Sequence, residues 1–181
     1  MELILTHEQV DFDALGALIA ARLLFDSHLP VLPRRQNQNV RKFLNLYKHE
    51  LGLVDIEELP GEPIESIVLV DTQSLVTLRN FKRDTPVVII DHHVAKPDLP
   101  EAWKRKIEKL GATTTILVNQ IKEKGIRISP LDATVMLLGI HEDTGSLTYA
   151  STSIKDIYAA AYLVENGANL QFLNDYLNPP L

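Results

Sequence analysis

Cysteine is absent from the 181 residues, which excludes disulfides and thiolate metal sites. Long apolar runs are missing too. No stretch approaches about eighteen apolar residues, so no membrane-spanning helix is expected. Met1 leads directly into Glu2-Leu3-Ile4-Leu5-Thr6 without a basic region or a small-residue cleavage site, so no secretory signal is expected. A reduced, cytoplasmic setting fits these absences. Basic residues are outnumbered, 18 Lys and Arg against 24 Asp and Glu, and the formal charge is −6. That balance argues against a broad nucleic-acid-binding surface, although divalent ions held by carboxylates would offset part of it. Apolar residues at 45% and charged residues at 23% are ordinary for a soluble globular chain, and the length suits one domain.

Three short apolar runs stand out: Leu3 to Thr6, Ser66 to Val70 and Val87 to Ile90. None alternates with polar residues, which is how strands buried on both faces of a parallel sheet read. Helical patterns lie between and after them. Asp13 to Phe25 is apolar nearly all round, so it is expected to pack between the sheet and other elements. Asn39 to Leu51 is amphipathic, with Val40, Phe43, Leu44 and Tyr47 on one face. Thr113 to Gly125 ends on a helix stop, Lys124-Gly125. Ser129 as N-cap, Pro130 at the first helical position and Asp132 in the first turn mark another start. Ser153 and Asp156 form a capping-box pattern for a helix closing on Gly167. A last short helix is expected from Asn169 to Leu177, stopped by Asn178-Pro179-Pro180-Leu181. Pro30 to Asn39 and Glu58 to Ser66 read as loops. Strands alternating with helices predict an α/β, doubly wound, mainly parallel sheet flanked by helices.

The polar residues at the strand ends then read as a set. The first run leads into His7, Asp11 and Asp13, the second into Asp71, and the third into Asp91, His92 and His93. In a parallel sheet all strand C-termini lie along one edge, where ligands bind. A fourth segment puts Asp143 where a helix gives way to a Gly-containing loop. Imidazole and carboxylate without sulfur suit a hard to borderline divalent ion, Mn²⁺ foremost, with Mg²⁺ or Co²⁺ as substitutes. Several carboxylates at one point would repel one another without cations between them, and two ions suit the ligand count. Paired metals are standard machinery for displacement at phosphorus. Taken alone, Asp71 reads as a turn residue, His28 and His49 as surface side chains, and His141 as helix packing or support for a ligand. Adjacent histidines after a buried strand are harder to explain as structure.

The order His7-Glu8-Gln9-Val10-Asp11-Phe12-Asp13, Val70-Asp71-Thr72-Gln73, Asp91-His92-His93 and His141-Glu142-Asp143-Thr144-Gly145 resembles the four motifs of the DHH phosphoesterase superfamily. Gly111 to Thr115 also looks like a segment of that family. Leu32 to Leu44 and Thr72 to Leu75 are similar to the DHH domain at the N-terminus of bacterial proteins that also carry CBS domains and a tRNA-nucleotidyltransferase or poly(A)-polymerase module. The resemblance implies a single DHH catalytic domain over residues 1–181, attached covalently to further domains. It also implies two ions, one held by His7, Asp11 and Asp71 and the other by Asp13, Asp71, His92 and Asp143. His93 would then face substrate, and Asp91 would fix the strand end and the imidazoles. Gln9-Val10 departs from the Asn-Pro that many relatives carry before the first Asp. The family's C-terminal substrate-binding lobe, with its Gly-rich, His-containing motif, has no counterpart in this sequence.

The implied function is manganese-dependent hydrolysis of a phosphodiester or phosphoanhydride in a short oligonucleotide or dinucleotide. Two rivals are an inorganic pyrophosphatase and a non-catalytic nucleotide-binding regulatory module of a larger nucleotidyltransferase. A substrate panel separates the first, and the intact ligand set argues against the second. Arg34 and Arg35 could contact substrate phosphates, or could simply be a solvated basic pair.

Overall fold

The computed structural model describes residues 1–78 and 80–177. From the N-terminus, β1 (Glu2–Leu5) leads through a two-residue strand, β2 (Gln9–Val10), into α1 (Phe12–Leu24). Then come β3 (Leu29–Leu32), a second two-residue strand β4 (Arg35–Gln36), α2 (Gln38–Tyr47) and β5 (Val54–Asp55). The strands β6 (Ser66–Val70), β7 (Val87–Asp91) and β8 (Lys104–Ile107) follow. Four helices complete the order: α3 (Thr113–Glu123), α4 (Pro130–Asp143), α5 (Ile154–Glu165) and α6 (Gln171–Tyr176).

Six strands form one parallel sheet in the order β5-β3-β1-β6-β7-β8, while β2 and β4 pair with each other. The chain winds outward from β1 through β3 to β5, then returns to lay β6 on the other side of β1. That reversal opens a crevice beyond the C-terminal ends of β1 and β6, where doubly wound sheets bind ligands.

Alternate side chains along each strand enter opposite cores. Ile4, Val68, Val70 and Ile90 join a large cluster built with α1, α2, α3, α4 and α5, against which Phe172, Leu173 and Tyr176 of α6 pack. Leu3, Leu5, Ile67, Leu69, Val87 and Ile89 face the other way. Among the described residues that second face is covered by crossover segments, through Leu75, Leu78, Phe81, Leu99 and Trp103. Helix α1 lies between the sheet and α4, with glycines at the crossing. A Cβ on Gly139 would come within 2.6 Å of Phe12 O and 3.0 Å of Asp13 Cα, and one on Gly16 within 2.8 Å of Thr114 Oγ1. The first turn of α1 is thereby pressed against both α4 and the start of α3.

Helix starts follow the sequence signals. Ser129 Oγ accepts from Asp132 N–H, Pro130 stands at the start of α4, and Ser153 with Asp156 forms a full capping box. The segment Pro30 to Asn39 differs from the loop expected of it, since it contains most of β3 and all of β4. Pro30 demotes a strand reading, but it pairs with Ile4 one position before pairing with β5 begins at Val31, so part of its flank needs no ladder donor. The sequence likewise hides β8, whose Lys104, Arg105 and Lys106 suit an exposed edge strand and blur the apolar signal. His28 is not a surface side chain. Its Nε2 lies 3.0 Å from Ser66 Oγ, its Nδ1 lies 3.2 Å from Ser27 Oγ, and the ring is largely covered. The stop expected at Asn178 to Leu181 lies outside the described residues.

Candidate metal centre

Two acids and an imidazole leave the β1–α1 junction toward the crevice. Asp11 is the N-cap of α1, with extended backbone, and its Oδ1 accepts from Ala14 N–H at 2.9 Å. Its Oδ2 lies 3.8 Å from His7 Nε2. One carboxylate thus closes the helix and faces the crevice. Asp13, fully buried in the first turn, accepts from Thr113 N–H at 2.8 Å and Thr114 N–H at 2.9 Å, the leading amides of α3. The N-terminus of α3 therefore holds this carboxyl group in place.

Asp71 follows β6 directly and adopts a left-handed backbone with φ +56°, a region Asp tolerates better than most residues. This turn presents its two oxygens to different partners. Oδ2 lies 3.2 Å from His7 Nε2, whereas Oδ1 accepts from Thr113 Oγ1 at 2.9 Å and lies 3.7 Å from His92 Nε2. At the end of β7, His92 Nδ1 must donate to the Leu110 carbonyl at 3.0 Å, because a carbonyl can only accept. His93 takes a different partner: its Nδ1 lies 2.8 Å from Asp91 Oδ1, and its ring is 59% exposed. Asp91 is in turn held by Gln73 Nε2 at 2.6 Å.

Donor atoms therefore gather into two sets, His7 with Asp11 and Asp71, and Asp13 with His92 and Asp143, each set lying within 4.8 Å of one another. Asp71, His92 and His93 satisfy the same criterion. Burial pushes the Asp13 carboxyl well above the usual carboxylate range, and Asp71 and Asp143 push it the same way. Burial also raises Asp11, and it takes Glu142 up to about 7 against the Phe12 N–H that Glu142 accepts. His7 is raised by its hydrogen bond to Asp71 against burial. Burial acts to lower His92, but Asp143, Asp13, the Leu110 carbonyl and Asp71 together carry it up to about 10. Asp91 moves the other way: burial would raise it, but hydrogen bonds from Gln73 and His93 hold it low.

This donor set fits divalent cations. His92 Nε2 is buried without an aligned hydrogen-bond partner, yet Asp143 Oδ2, Asp71 Oδ1 and Asp13 Oδ2 stand around it at 3.2, 3.7 and 3.9 Å. Nδ1 keeps its proton for Leu110 O, so in the metal-free chain it is a second proton, on Nε2, that faces those carboxylates and is held up to about pH 10. A divalent cation would take that proton's place, held by the Nε2 lone pair and the carboxylates together.

Six residues singled out from the sequence, His7, Asp11, Asp13, Asp71, His92 and Asp143, are thus brought together, with Asp91 and His93 beside them. Arg34 is not among them. It pairs with Glu57 at 2.6 Å and lines a separate cleft of about 300 Å³ with Arg41 and Lys48, while Arg35 is exposed on β4. Sequence reasoning gave no role to Gln73, Thr113, Thr114 or Glu142, which orient the acids or extend the acidic cluster. The threonines lie in the quoted Gly111 to Thr115 segment, so position was legible there and task was not. His141 is half-buried on α4, and burial lowers its pKa.

Fold and site together define a class: an open parallel α/β sheet whose switch crevice carries a carboxylate–imidazole cluster suited to divalent cations. Within that class the chain belongs to the DHH family, whose N-terminal domain matches residues 2–140. It is 35% identical over 187 residues to an A-adding tRNA nucleotidyltransferase of Geobacter sulfurreducens, covering 100% of this chain and 21% of that protein. It is 25% identical to the bifunctional oligoribonuclease and PAP phosphatase NrnA of Mycoplasma genitalium, covering 95% of this chain and 55% of that protein. The chain thus spans about a fifth of the first relative and just over half of the second. A crystal structure of a Methanococcus jannaschii putative family II inorganic pyrophosphatase shares the fold, with a TM-score of 0.73 at 19% identity over 98% of this chain and 59% of that one. No described helix is long and apolar enough to cross a membrane.

Proposed function

We propose that this chain is the catalytic lobe of a metal-dependent phosphoesterase that hydrolyses phosphodiester or phosphoanhydride bonds in short oligonucleotides or dinucleotides. The observation that carries this reading is Asp71, whose two oxygens face the two donor sets separately. On this reading His7, Asp11 and Asp71 hold one ion, and Asp13, Asp71, His92 and Asp143 hold the other. Manganese suits the mixture of oxygen and imidazole donors. When bound, two such ions supply Lewis-acid stabilisation of charge on the reacting phosphoryl group and activate water at neutral pH.

The chain's own residues do the rest. Asp91 fixes the His93 ring through Nδ1, leaving Nε2 as the edge available to a phosphoryl oxygen. Gln73 holds Asp91, and the leading amides of α3 hold Asp13, so the acids keep their geometry through turnover. The oligoribonuclease named among the relatives supports a short-oligonucleotide substrate. The nucleotidyltransferase supports covalent attachment to further domains in a longer polypeptide.

The test is hydrolysis by manganese-loaded protein, on this chain and on the full-length polypeptide, over a panel of dinucleotide, short RNA and pyrophosphate. Dinucleotide or short RNA is the expected substrate. Asp71→Asn should abolish hydrolysis and lower bound manganese at both sites. Normal metal content and rate in that variant would refute a bridging role.

A further inference from the structure

A second concavity, about 430 Å³, opens beside the cluster. Its size falls within the roughly 300–1,000 Å³ of small-ligand sites. One wall is the end of α4 and the loop beyond it, with His141, Glu142, Ser146 and Tyr149, and Asn39 from the first turn of α2 also lines it. Glu142 ties this cleft to the acids. Its carboxylate accepts from Phe12 N–H, at the head of the helix that carries Asp13, and it lies in the field of Asp11, Asp143 and Asp71.

Tyr149 is the feature that calls for explanation. It is 58% exposed, and its ring lies so close over Gly145 that a Cβ there would come within 2.2 Å of Cε1. The backbone beneath it is unusual: Gly145, Ser146 and Leu147 have φ of +55°, +56° and +69° in succession. A left-handed Leu is unfavourable, and such strain gathers at ligand sites. Thr148 and Tyr149 N–H both donate to Thr144 O at 2.9 Å, which pins the turn. The result is an open aromatic face held in place on the wall of a polar cleft.

A pyrophosphate has no use for such a face, since all its groups are charged and would meet the Glu142 carboxyl here. A planar heterocycle with polar edges matches it, stacking on the ring and bonding to a carboxamide and a hydroxyl. We propose that this cleft seats a nucleobase of the substrate, with Tyr149 as the stacking face and Asn39 and Ser146 as edge partners. The site would then select nucleotides over base-free phosphates. This assignment rests on the two-metal reading and names the substrate class it serves.

The experiment is calorimetric binding of AMP and of ribose 5-phosphate to manganese-loaded protein, for wild type, Tyr149→Phe and Tyr149→Ala. Wild type should bind AMP at least about tenfold more tightly than ribose 5-phosphate, the scale of one base stacked on an aromatic ring. Tyr149→Phe should keep that ratio, and Tyr149→Ala should bring it close to one. A ratio near one in wild type, no measurable AMP binding, or a ratio that survives Tyr149→Ala overturns the proposal. A manganese titration alongside reports the metal centre by itself. Were manganese not to bind, the two-metal reading would fall, while the AMP to ribose 5-phosphate ratio would still decide the cleft.

Discussion

At His92 the hydrogen bond to Leu110 O settles which ring nitrogen is left for the acids, whereas at His93 Asp91 takes Nδ1 and the ring stays exposed. Successive side chains leaving a strand diverge, so neighbours in sequence reach different chemistry. His92→Ala should therefore weaken manganese binding by more than the 10–100-fold typical of losing an outer partner. His93→Ala should leave manganese bound and lower kcat by roughly 10²–10³, as for a contact made mainly in the transition state. Metal titration of both variants checks this, and equal loss of manganese would make both residues ligands. The paired histidines were legible because a buried strand seldom ends that way without a reason. Asp71 was less so, since a left-handed turn residue and a metal ligand look alike in sequence, and here the turn is what aims the carboxylate. Gln73 was illegible because its task depends on Asp91, eighteen positions away.

At the scale of elements, the site depends on how closely α1, α3 and α4 approach. Gly139 meets Phe12 O and Asp13 Cα, so a methyl group there would clash with backbone that has little room to move. Gly139→Ala should destabilise the fold by about 1–3 kcal/mol, the usual cost of overpacking. It should also reduce manganese affinity, because the displaced turn carries Asp13 away from the α3 amides. Urea denaturation and metal titration measure the two effects, and wild-type values for both would show that the helices can separate freely. Helix starts were readable because Ser129-Pro130 and Ser153 with Asp156 are local signals. β3 and β8 were not, since a proline and a run of cations obscure strands that only pairing partners define.

For the whole molecule, the proton shifts fix how stability answers to pH. Glu142 rises from 4.5 to about 7, so in the metal-free chain its contribution is fully present below about 4.5 and is lost as pH rises through 7. His92 rises from 6.5 to about 10, so its contribution is complete below about 6.5 and is lost on approaching 10. Asp13, Asp11 and His7, also raised, act in the same direction and outnumber the lowered His141 and Asp91, which oppose it. Metal-free protein should therefore lose stability from mildly acidic to alkaline pH. Divalent cations would take the protons' place, and their affinity should climb as protons leave. The gain in Tm on adding manganese should be larger at about pH 8 than at about pH 5. Thermal melts with and without chelator read this directly, and an equal or larger gain at the acid end would contradict it.

The candidate ligands run from His7 near the start of the chain to Asp143 at the end of α4, and the amides that hold Asp13 belong to α3. A ribosome releases the first three of these acids and imidazoles long before the last. Until α3 and α4 have emerged and docked, the early residues are a loose handful of oxygens that any passing cation could touch and leave. On the two-metal reading, loading therefore follows the emergence and docking of α4. It waits on the docking of α3 and α4, and before that the wrong ion meets no finished site.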